Sequence, residues 1–92
     1  MARAVITFKI MPEDPDVDLE QIKMEALRIA KENGALGEMQ SKIEPIAFGL
    51  NAVLILAMYT VEGSDFDAIA HKMSEITGVQ SAEIAKMDLP LG

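Results

Sequence analysis

One stretch limits the possible folds more than any other. Leu50 to Tyr59 reads Leu-Asn-Ala-Val-Leu-Ile-Leu-Ala-Met-Tyr, with aliphatic residues at both odd and even positions. A half-exposed strand alternates apolar and polar residues. This run does not, so it predicts a central strand covered on both faces. A helix is the alternative, but the Pro45-to-Gly49 punctuation before it and Gly63 after it leave room for only about three turns. The residues leading in, Lys42 to Gly49, read Lys-Ile-Glu-Pro-Ile-Ala-Phe-Gly. They predict a short loop that holds Phe48 beside Gly49, shortly after Pro45. An aromatic at such a loop tip is where a chain offers a contact to another molecule, and the competing arrangement folds the ring back into the core.

Three more strands and two helices are legible around this one. Ala2 to Met11 alternates, with Ala4, Ile6, Phe8 and Ile10 on one side and Val5, Thr7 and Lys9 on the other. Pro12 and Pro15 then stop regular structure. Asp18 is the expected N-cap of a helix, with Gln21 completing a capping box and Val17 as a staple. Leu19, Ile22, Ala26, Ile29 and Ala30 recur on one helical face, and Asn33-Gly34 ends it. Glu38 to Glu44 alternates with one charged parity, which suggests an edge strand. After Glu62-Gly63, Ser64 with Asp67 resembles a second capping box. Phe66, Ile69, Ala70, Met73 and Ile76 form that helix's apolar stripe, and Thr77-Gly78 closes it. Val79 to Met87 is expected to be the last strand. Pro90 would keep the tail from Asp88 to Gly92 from extending the ladder.

The order is β-α-β-β-α-β, two copies of one unit, with helices of about four turns each. Right-handed crossovers put both helices on one face of a four-stranded antiparallel sheet, with the first and third strands in the middle. This is the α+β ferredoxin-like plait, one domain over residues 1–92. The other sheet face has no helices, yet the third strand still offers it apolar residues. Such a face asks for a partner, and a homodimer through it is one expectation.

Composition removes several functions. Eight basic against 15 acidic residues give a net charge of −7, which repels phosphate backbones and anionic membranes. Nucleic acid and membrane are therefore not expected partners, and the cytoplasm is the default location. No cysteine is present, so disulfides and thiolate metal sites are excluded. No Gly-rich phosphate loop occurs. One histidine, His71, cannot build a Ser-His-Asp set, and it lies opposite the second helix's apolar stripe, where a solvated residue is expected. An acylphosphatase-type site needs an arginine in a tight loop, but Arg3 falls in a strand and Arg28 in mid-helix. Asp14, Asp16, Asp18 and Glu25 match four ligand positions of a calcium loop. Leu19 stands where that loop needs glycine, so helix capping is the better account. The seven methionines are scattered and read as core filler. A ligand-sensing or dimerising regulatory plait remains open on these grounds alone.

Ile43-Glu44-Pro45-Ile46-Ala47-Phe48-Gly49-Leu50 resembles the signature loop of the guanine-nucleotide-exchange domain of translation elongation factor 1-beta. Met11-Pro12-Glu13 followed by Asp16-Val17-Asp18-Leu19 resembles the archaeal form, as does Gly78-Val79-Gln80-Ser81 leading into Ile84-Ala85. The resemblance covers nearly the whole chain, in order. It implies the same plait. It also implies binding to elongation factor 1-alpha and release of its GDP so that GTP can enter, with no covalent chemistry, cofactor or metal of its own. Phe48 is then the residue that wedges into the partner near its nucleotide and magnesium. Pro45, Ile46 and Gly49 belong to the same contact, and Met87, Asp88 and Leu89 to a C-terminal one. In eukaryotic members a lysine near the C-terminus disturbs the magnesium site. Here Leu89 takes that place and Lys86 lies three residues earlier, so the lysine's role is not carried over.

Overall fold

Alternation along the chain becomes four ten-residue strands in the computed structural model, which describes residues 2–89. The order is β1 (Arg3–Pro12), α1 (Leu19–Glu32), β2 (Leu36–Pro45), a tight turn (Ala47–Gly49), β3 (Asn51–Thr60), α2 (Phe66–Ser74) and β4 (Val79–Asp88). All strand pairs are antiparallel and the sheet order is β2-β3-β1-β4. The expected ferredoxin-like plait is thus present, with β3 and β1 central and β2 at an edge. The position of Pro90 lies outside the described residues.

The core forms between the sheet and the two helices. β1 contributes Ala4, Ile6, Phe8 and Ile10, and β3 contributes Val53, Ile55, Ala57 and Tyr59. Across the β1–β3 ladder large residues face small ones, Tyr59 opposite Ala4 and Ile6 opposite Ala57, which lets the layer fill without overlap. Phe8 and Phe66 both meet the Tyr59 ring edge-on, at centroid distances of 6.2 and 5.5 Å. The helices close the core with Ile22, Ala26, Ile29 and Ala30 from α1 and Ile69, Ala70 and Met73 from α2. The buried Tyr59 hydroxyl donates to the Ala30 carbonyl at 3.3 Å, so its one polar atom is satisfied.

Four expectations need correction. β3 is covered on one face only. Leu54, Leu56 and Met58 on its other parity are half-buried, shielded by neighbours in the sheet and not by a second layer. There Lys9 reaches Glu44 at 3.9 Å, from the central β1 to the edge strand β2. Pro12 falls inside β1 and not just past it. It is the strand's last residue, buried and opposite Val79, where a missing N–H is tolerated. α2 has nine residues and not four turns. Its N-cap is Asp65, whose carboxylate accepts from Ala68 N–H at 3.0 Å, while the Ser64 hydroxyl donates to the Thr60 carbonyl. For α1 the expected cap holds: Asp18 accepts from the Glu20 and Gln21 N–H groups.

Candidate partner-binding site

β2 and β3 form a hairpin whose last ladder pair is Pro45 with Asn51. Between them the backbone turns tightly. Ile46 N–H donates to the Leu50 carbonyl at 2.8 Å, and Leu50 N–H donates to the Ala47 carbonyl at 3.3 Å. Phe48 and Gly49, the two residues inside that second bond, both have positive φ, 62° and 76°. With Phe48 at ψ 31° this is the geometry of a type I′ turn, whose twist matches that of the flanking strands. The consequence is exposure. The Phe48 ring is 94% accessible, so the arrangement that folds it back into the core is overturned. Pro45 and Gly49 are also exposed, and Ile46 is half-buried at the base of the turn.

The structure does not bring the C-terminal candidates to this turn. Val53 pairs with Ile10, so the hairpin tip stands at the Pro12 end of β1. Met87 and Asp88 pair with Ile6 and Val5, near the other end of that strand. Seven residue steps, from Pro12 to Val5, separate the two levels by about 23 Å. Met87 and Leu89 are 51% and 68% exposed. The Lys86 ammonium lies 3.6 Å from Asp88, on the side chain two residues along the same strand. Ile43 was not singled out from the sequence as a site residue. It is 49% exposed and adds apolar surface on the strand leading to the turn. Its sequence signal is weak, since β2 also carries the apolar residues Leu36 and Met39.

The other candidates have structural partners or face water. Asp14 accepts from Asp16 N–H at 2.8 Å and Asp18 caps α1. Glu25 pairs with Arg28 at 2.8 Å. Among the described residues no three His, Cys, Asp or Glu side chains cluster as metal ligands. Arg28 is clamped between Glu25 and Glu32, each at 2.8 Å. Hydrogen bonds to Glu25 first, then Glu32, raise its pKa above the usual value, so it is not an unengaged cation for phosphate. His71 is exposed. Among the described residues no helix is long and apolar enough to cross a membrane.

Comparison with known proteins gives one consistent result. Residues 5–89 match the family model described as the EF-1 guanine nucleotide exchange domain. The chain is similar to "Elongation factor 1-beta" of Methanosphaerula palustris, at 39% identity over 97% of this chain and 99% of that one. It is also similar to the proteins of that name from Archaeoglobus fulgidus, at 36% over 97% and 99%, and Pyrococcus horikoshii, at 36% over 84% of each. With a family model matched from β1 to just past β4, the chain belongs to the EF-1 guanine nucleotide exchange domain family.

Proposed function

We propose that this chain promotes release of GDP from elongation factor 1-alpha, so that GTP can enter, without making or breaking a covalent bond. The observation that carries the reading is the Phe48 ring, 94% exposed on a turn fixed by two backbone hydrogen bonds, in a chain of an exchange-domain family. An exposed apolar ring held this way is poor surface for a free protein and good surface for a docked one.

Exchange requires tighter binding to the nucleotide-free partner than to the GDP-bound one, since only differential affinity shifts an equilibrium. Tightly held GDP depends on magnesium and on loops wrapped around the phosphates. A thousandfold faster release lowers a barrier by about 4 kcal/mol. Burying one Phe contributes roughly 1.5–3 kcal/mol. Phe48 therefore falls short alone, and a second contact supplies the rest. Met87, Asp88 and Leu89 are the candidates, so the footprint on the partner is two-ended. Leu89 has no charge to disturb a magnesium site, and Lys86 lies beside Asp88. In this reading the loosening of magnesium is indirect, through loops displaced by the ring. The place of action is the cytoplasm.

Titration of this chain against nucleotide-free and GDP-loaded elongation factor 1-alpha tests the reading. The nucleotide-free form is expected to bind at least about tenfold more tightly. Equal affinity for the two forms overturns it. Self-association through the open face is a separate matter, motivated by half-buried Leu54, Leu56 and Met58. Sedimentation equilibrium decides it: a monomer mass at all concentrations rules it out.

A further inference from the structure

We propose that Gly49 is a positioning residue, which acts through Phe48 by holding the turn in the conformation that aims the ring outward. The proposal deepens the exchange reading and rests on it.

The turn needs positive φ at two successive positions. Phe48 occupies the first, where a side chain with Cβ is disfavoured and Asn, Asp or Gly is usual. The ring is thus kept at a position that backbone sterics resist. Gly49 occupies the second at φ 76°, where it meets no such resistance. Among the described residues nothing otherwise calls for a glycine: a Cβ added at residue 49 has none of their atoms within 4 Å. Space would admit a side chain, and only the backbone angle argues against one.

That combination separates two roles. If the partner's surface must approach residue 49 closely, any side chain there is harmful in proportion to its bulk. If residue 49 sets the turn, harm follows reluctance to adopt positive φ. Asparagine is bulkier than alanine but adopts positive φ more readily, so the two roles rank them oppositely. With a second disfavoured residue, the turn shifts toward types that splay the strands and re-aim residue 48. The correctly aimed fraction then falls. Apparent affinity falls with it, while the rate at saturation is unchanged.

The experiment measures GDP release from elongation factor 1-alpha against concentration of the intact chain. It compares wild type with Gly49→Asn, Gly49→Ala and Gly49→Val. Backbone chemical shifts of residues 46–50 are recorded for each, with thermal melting to confirm folding. The half-saturating concentration is expected to rise about twofold for Asn, about fivefold or more for Ala and furthest for Val, with a common plateau. Shifts should keep Phe48 left-handed in the Asn variant and release it in the Val variant. A weaker Asn than Ala variant overturns the proposal in favour of close approach. So does a Val variant whose Phe48 stays left-handed, and that readout decides even if wild type fails to release GDP and the exchange reading itself falls.

Discussion

Phe48 and Leu89 stand near opposite ends of the sheet, one on the hairpin tip beyond Asn51 and the other just past Asp88, which pairs with Val5. Two side chains about 20 Å or more apart share no neighbours. Their contributions to partner binding should therefore add. Affinities of Phe48→Ala, Leu89→Ala and the double variant should close a thermodynamic cycle within about 0.5 kcal/mol. A coupling well above that would mean that the two ends meet a single element of the partner.

Keeping Phe at a left-handed position has a cost to the fold. Replacement by a residue that tolerates φ 62° should stabilise the free protein. Phe48→Asn is expected to gain about 1 kcal/mol, raising Tm by roughly 4–8 °C for a domain this size, while losing the contact proposed above. Thermal melting of the free variant checks it.

The turn before β4 is held differently. Gly78 has φ 89°, and a Cβ added there would sit 2.8 Å from Val17 Cγ1. Its carbonyl also accepts from Glu13 N–H at 2.9 Å, tying the loop after β1 to the start of β4. Gly78→Ala should therefore cost about 2 kcal/mol from clash and backbone strain together. Val17 also packs against the core, so the clash part is read as the smaller cost of Gly78→Ala when Val17→Ala is already present. Urea denaturation of the single and double variants measures both.

Tyr59 gives the fold a limit at alkaline pH. Burial pushes its pKa from 10.0 up to about 12. Above pH 10 the unfolded chain gives up that proton while the folded chain keeps it, so stability falls until about pH 12, by roughly 2–3 kcal/mol in all. Below pH 10 both states hold the proton and this group contributes no slope. Tyr59→Phe should remove that slope while losing about 1 kcal/mol from the hydrogen bond to Ala30. Denaturant midpoints between pH 9 and 12 for the two proteins provide the comparison.

Periodicity made the plait legible. The strict alternation of β1 and the helical stripe from Leu19 to Ala30 each bury one face, and burial of one face fixes register. Where local patterns compete, the sequence was ambiguous. Ser64 and Asp65 are both good N-caps; Asp65 takes the cap while the serine hydroxyl donates to the Thr60 carbonyl. The apolar residues of β3 on both parities suggested two covered faces. In the fold they are shielded by in-sheet neighbours, a property of the assembled sheet and not of the run itself. Phe48's place on a loop was visible from Pro45 and Gly49. Its outward aim depends on a type I′ turn, and Phe-Gly lacks the Asn-Gly signal that would have announced one. The distance between that turn and Leu89 follows from ladder register, which no local pattern encodes.

The most direct test is the rate at which labelled GDP leaves purified elongation factor 1-alpha in the presence of excess unlabelled nucleotide. Wild-type chain should raise that rate steeply with concentration, and Phe48→Ala, folded to the same Tm or higher, should lose at least about tenfold of the stimulation at subsaturating concentration. A release rate that wild type leaves unchanged, or that Phe48→Ala raises equally well, would contradict the account.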